Sequence, residues 1–231
     1  MSFQKFTLGL VAAFGLPWLL LIVVPFGKTS TLPLVEFDED ADGITGLYES
    51  SHTGLVGLGS QVYGENGCYV CHTQLIRPTY AGTEIWRDDW AGQKKNADDK
   101  DTRRESNAFD YAKESVAYIG INRVGQDLSN AGYRIEKDAA ALGLSAEQFL
   151  YQRFANPRAF IGNHWSTCPS LPQLFKKASA YSQNQDAVSV TDKDGETLTL
   201  LPGKEARALA NYLLSLKKDN QVPASMSYSA K

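Results

Sequence analysis

The sequence predicts a mostly α-helical domain carried on one N-terminal membrane-spanning helix, with a small β-hairpin inserted ahead of the last helix. Three observations predict it. Residues 6–26 are 21 consecutive positions without a charge, and roughly 20 apolar residues suffice to cross the hydrocarbon core of a bilayer. Apolar residues recur at helical spacing around 57–63, 145–154 and 204–216, the last with Ala206, Leu209, Ala210, Leu213 and Leu216 along one stripe. Residues 188–200 alternate as two strands about an Asp-Lys-Asp-Gly turn.

Taken in order, the apolar run is longer than the apolar core of a secretory signal, and no small-x-small cleavage site precedes the acidic stretch, so it reads as an uncleaved anchor over residues 1–27. Pro17 and Pro25 each remove a backbone donor, which predicts a kink at Pro17 and an end near Pro25. One lysine flanks each side, while Glu36, Asp38, Glu39, Asp40 and Asp42 make the downstream side acidic. That asymmetry places the N-terminus in the cytoplasm and the remaining chain on the periplasmic or extracytoplasmic side of the inner membrane. Residues 28–53 read as a linker, 54–218 as the folded domain and 219–231 as a C-terminal tail. Ser145 with Gln148 predicts a capping box for the middle helix. The mixed-charge run 92–105, with Lys94, Lys95, Asp98, Asp99, Lys100, Asp101, Arg103, Arg104 and Glu105, reads as a solvated loop.

The chain has 231 residues, 43% of them hydrophobic, and a formal net charge of −3. It can bury a sizeable core and lacks the basic surplus of a nucleic-acid-binding surface. Three cysteines, two methionines and three histidines are few enough to take singly. Two of the cysteines fall in Cys68-Tyr69-Val70-Cys71-His72. A C-x-x-C pair serves as a redox dithiol, half a zinc site or the two thioether anchors of a c-type haem. The adjoining histidine selects the haem, because one helical turn sets both sulfurs along one porphyrin edge and brings the next imidazole beneath the iron. A zinc site needs a second ligand pair, and a thioredoxin-like dithiol needs a βαβ frame; the sequence has neither. His72 is then the proximal iron ligand. His52, in the linker, reads as a solvated histidine.

The run 65–78, Glu-Asn-Gly-Cys-Tyr-Val-Cys-His-Thr-Gln-Leu-Ile-Arg-Pro, resembles the attachment region of the mono-haem subunit II (FixO-like) of cbb-type cytochrome c oxidases. Val124-Gly125-Gln126-Asp127-Leu128 is similar to that family's T-G-P-D-L, Asn156-Pro157-Arg158 to its N-P-R, and Cys168-Pro169-Ser170-Leu171-Pro172 to its M-P-S-Y-P. The resemblance implies a cytochrome c fold, one covalently bound haem c, and an electron-carrying subunit rather than a stand-alone enzyme, partnered in the membrane by a haem–copper core subunit and other cytochrome subunits. It further implies that Gln126, where the family has proline, offers its backbone carbonyl to the other nitrogen of His72. Arg77 is either a partner of a haem propionate or an exposed surface arginine.

At the family's distal methionine this chain has Cys168, and the interval from Asn156 is longer than the family's. Met1 begins the anchor and Met226 lies in the tail. Cys168 as a thiolate, His164 as a second imidazole, and an open or water-bound position are the competing arrangements. A thioether favours ferrous iron, whereas a thiolate or second imidazole favours ferric iron and lowers the potential. Two other function classes stand beside electron transfer. One is a sulfur-compound oxidoreductase, which requires an open basic pocket at Cys168 near Arg158, Lys176 and Lys177. The other is a haem sensor or structural subunit.

Overall fold

The computed structural model describes residues 2–30, 54–87, 90–92, 103–111, 114–158, 164–178, 186–191 and 197–219. The linker 31–53 with its acidic residues and His52, most of the 92–105 run, the Asp-Lys-Asp-Gly turn and the tail from 220 with Met226 lie outside the described residues. The chain divides into two units, Met1–Ala41 and Asp42–Lys231.

Among its described residues the first unit is one helix of mixed pitch. Helix α1, Phe3–Trp18, passes into a π turn over Leu19–Val23 and then into α2, Val24–Ser30. The span Phe3–Lys28 is long and apolar enough to cross a membrane. The expected stop near Pro25 is not there, and residues 28–30, assigned to the linker, are helical. Pro25 lies inside the continuous helix, just past the π turn, and does not end it. The wider register supplies the transition: Val24 donates to the carbonyl of Leu19, five residues back. Lys28 in the last turn suits the negative end of the helix dipole.

The second unit is mostly helical with a small sheet. Its core is the crossing of α3, Gly54–Glu65, with α7, Lys204–Ser215. Gly59 permits that crossing, since a Cβ there would collide with the carbonyl of Ala208 and the side chain of Tyr212. All five residues of the expected α7 stripe are buried, with Leu209 at 1% exposure and Leu216 at 0%. Val62 and Tyr63 from α3 and Phe149, Leu150 and Phe154 from α6, Ala146–Ala155, complete the cluster. The capping box of α6 forms both ways: Ser145 Oγ accepts from the Gln148 N–H at 3.1 Å, and Gln148 Oε1 accepts from the Ser145 N–H at 3.2 Å.

Two elements escape the periodicity argument. Helix α5, Ala131–Ala141, buries Ala131, Gly132, Arg134 and Ala139, small or polar residues that draw no apolar stripe. The hairpin exists as β2, Val188–Thr191, and β3, Thr197–Pro202, paired antiparallel with Val188 opposite Leu200. A third strand, β1 at Phe175–Lys177, pairs antiparallel with the other edge of β3, so the sheet order is β1-β3-β2. Three residues are too short a stretch for alternation to declare itself. The far end of the charged run also departs from the solvated reading. Arg104 makes a bidentate pair with buried Asp110, and Glu105 accepts from the Thr79 N–H at 2.9 Å. The chain stays tied down past residue 218, since Asp219 is buried and bonded to the Tyr133 hydroxyl.

Candidate functional site

The pentapeptide 68–72 is built by one turn of helix. Gly67, at φ +67°, reverses the chain after α3 in the left-handed region that glycine adopts freely, and α4, Cys68–Cys71, follows at once. The turn closes with the His72 N–H on the Cys68 carbonyl at 3.0 Å, after which the backbone at His72 becomes extended. Both motif thiols are partly buried. Burial pushes the Cys68 thiol up to about 12, with the neighbouring Cys168 and Cys71 adding to the rise.

The extended segment after the turn is zipped to the loop 124–129. The Gly125 N–H donates to the Cys71 carbonyl at 2.9 Å, and the Leu128 N–H to the Thr73 carbonyl at 2.7 Å. Between these two bonds, His72 Nδ1 lies 2.8 Å from the carbonyl of Gln126. The ring is therefore oriented through Nδ1, and Nε2 is the nitrogen left for a ligand. Gly125 packs against the imidazole so closely that a Cβ there would collide with Cε1, Nδ1 and Nε2. Burial lowers the His72 pKa, and the Gln126 hydrogen bond partly offsets it. A neutral imidazole is the form that binds a metal.

Behind this contact sits Asp127, fully buried. Its Oδ2 accepts from Thr73 Oγ1 at 2.6 Å and from the Leu75 N–H at 2.9 Å, and its Oδ1 accepts from the Ser129 N–H at 2.8 Å. Its carbonyl takes a guanidinium N–H of Arg134. Sequence reasoning quoted Asp127 only as part of a matching run. The usable signal was an acidic residue directly after Gln126 in a loop whose other residues are neutral.

Arg77 takes part in a buried-carboxylate cluster. Its side chain is 40% exposed, but its Nε is bonded to Glu84, whose carboxylate is buried and also pairs with Arg123 at 2.8 Å. Gly82 leaves the room for this cluster, because a Cβ there would strike Glu84 and Arg77. The guanidinium of Arg77 is thus already partnered by a protein carboxylate.

Cys168 and His164 are both exposed, in an irregular stretch that ends at Leu171, whose N–H donates to the Phe154 carbonyl at 2.7 Å. The two differ in their surroundings. The protein around the Cys168 thiol raises its pKa, and Arg153 opposes that rise, with Cys71 and then Arg158 acting more weakly. Cys168 is thus in electrostatic range of both motif cysteines. His164 makes no hydrogen bond or ion pair among the described residues. Lys176 and Lys177 lie exposed on β1. Arg153, on α6, is the basic neighbour of Cys168 that the sequence reading passed over.

The arrangement fits a covalently held haem. Two thiols on one turn, an imidazole fixed through Nδ1 and a glycine laid flat against its ring form a one-sided cradle. Among the described residues no group of three or more histidine, cysteine or acidic side chains converges to hold a bare metal ion. The chain matches no family model and no curated protein.

Proposed function

We propose that this chain is a membrane-anchored mono-haem c-type cytochrome, acting as the electron-transfer subunit of a cbb-type oxidase-like respiratory complex on the extracytoplasmic face of the inner membrane. One observation carries the reading: the turn Cys68–Cys71 presents two thiols and His72, with His72 Nδ1 held by the Gln126 carbonyl. The α3–α7 crossing, with the turn directly after α3, supports the reading by setting that turn at the edge of the helical core. Cys68 and Cys71 would hold the haem as thioethers and His72 would bind its iron from the proximal side. The haem supplies one-electron exchange. The protein's share is to fix the imidazole through Gln126 and Gly125, to exclude water with the α3, α6 and α7 core, and to offer a ligand from the other side.

For that second ligand we favour Cys168 over His164, since it stands where the resembling family has its distal methionine. Iron binding deprotonates a thiol, and the nearby Arg153 and Arg158 guanidinium groups favour the anion. Such ligation lowers the potential relative to a methionine site and suits a lower-potential donor. The anchor Phe3–Lys28 would keep the domain beside a haem–copper core subunit.

The test is direct. After denaturation the full-length protein should retain a haem chromophore that co-migrates with the chain, and Cys68→Ala with Cys71→Ala should abolish it. A wild-type chain made with haem-attachment machinery present and carrying no covalent haem defeats the proposal. Cys168→Ala should change the low-spin spectrum while His164→Ala leaves it alone; the converse assigns the ligand to His164.

A further inference from the structure

We propose that Asp127 is a positioning residue for His72, setting the ring's orientation and the electrostatic field at its Nδ1. This rests on the reading of His72 as an iron ligand.

Three observations lead to it. First, Asp127 directly follows Gln126, whose carbonyl receives His72 Nδ1. Any movement of residue 127 is transmitted through one peptide unit, which is planar and stiff. Second, its two carboxylate oxygens reach both strands of the zipper. Oδ2 takes Thr73 Oγ1 and the Leu75 N–H on the chain leaving the haem motif, and Oδ1 takes the Ser129 N–H on its own loop. The side chain thereby cross-braces the two segments that meet at the imidazole. Third, the residue is completely buried, and its three carboxylate partners are all donors, the pattern an acceptor-only carboxylate satisfies. A negative charge with no water around it is felt at short range far more strongly than one at the surface. It favours positive charge on the imidazole and, through it, the oxidised iron, while the buried Arg134 guanidinium on the Asp127 carbonyl acts the other way.

A purely architectural carboxylate would brace the loop and leave the iron indifferent, so charge and brace must be separated. Asp127→Asn keeps the shape and removes the charge. Thr73→Val keeps the charge and cuts one leg of the brace. In the full-length protein, covalent haem is first measured after denaturation in each variant, and the midpoint potential is then read by spectroelectrochemistry. Exchange of the His72 Nδ1 proton is followed by NMR.

Asp127→Asn should shift the midpoint potential upward and speed Nδ1 proton exchange about tenfold or more. Thr73→Val should speed the exchange to a similar degree without raising the potential. If wild type holds no covalent haem, the cytochrome reading fails. If haem is present and Asp127→Asn leaves both potential and exchange at wild-type values, this inference is overturned. Should Asp127→Asn fail to accumulate, Thr73→Val decides: unchanged exchange of the His72 proton overturns the positioning role.

Discussion

The loop 124–129 and the loop 164–171 both belong to the candidate haem site, and they are built on opposite plans. The first is tied to the chain after the motif by the Gly125, Leu128 and Gln126 contacts, and is braced from behind by a buried carboxylate. The second is mostly exposed; the Cys168 N–H rests on Ser166 Oγ at 3.3 Å, and the next firm attachment comes only at Leu171. One wall of the site is braced and the other is exposed. On the braced side Gln126 meets His72 through its backbone carbonyl. On the open side Cys168 and His164 stand in an exposed, irregular stretch, where substitutions are accommodated without disturbing a core.

The largest effect that sharpens this contrast is expected from Asp127→Ala, which strands the Thr73, Leu75 and Ser129 donors in the interior. At roughly 1–3 kcal/mol for each orphaned buried group, the loss should reach about 3 kcal/mol or more, measured by urea unfolding. Gly125→Ala comes next. Its methyl group collides with the His72 ring, so a cost of about 2 kcal/mol and a displaced imidazole resonance are expected. An unperturbed His72 signal in that variant would show the wall to be softer than described.

Alkaline titration acts on buried and half-buried tyrosines. Burial raises the pKa of Tyr63 and Tyr118, which pack edge-on at 5.1 Å, and that of Tyr133 to about 12. Unfolded tyrosines ionise near pH 10. With the folded pKa above the unfolded one, this stabilisation is complete below pH 10 and declines as pH rises towards 12. The urea midpoint should therefore fall between pH 9 and pH 11, and Tyr133→Phe should flatten the lower part of that decline. The smallest effect belongs to the open loop. Cys168→Ser should shift stability by about 0.5 kcal/mol or less, as exposed substitutions do, whatever it does to the spectrum. A loss above about 2 kcal/mol would place Cys168 in the packed structure and dissolve the contrast.

How much of this was legible in the sequence depends on which force shaped each piece. Helix α7 announced itself because hydrophobic burial writes a periodic stripe, and all five of its residues are buried. The α6 start was legible because capping is a local contract between Ser145 and Gln148. Helix α5 was not, since it packs through Ala131, Gly132 and Arg134 and carries little apolar signal. The hairpin was legible through its turn, and β1 was not, because its pairing with β3 is set by distant chain. At the site, local chemistry exposed Cys68, Cys71 and His72. Asp127 and the Glu84 pairing with Arg77 and Arg123 stayed hidden, because burial of a carboxylate depends on what the fold brings to it.

The close approach of Gly59 to Ala208 sets a clock. Helix α3 emerges early in synthesis and α7 near the end, so the crossing forms only after residue 208 has been made. At synthesis rates of roughly 5–20 residues per second, the stretch from Cys71 to Ala208 takes on the order of ten seconds. Throughout that interval the two motif thiols follow a helix that lacks its main packing partner. Any enzyme that must reach both sulfurs of an extended chain has its opening then, before the core closes over the turn.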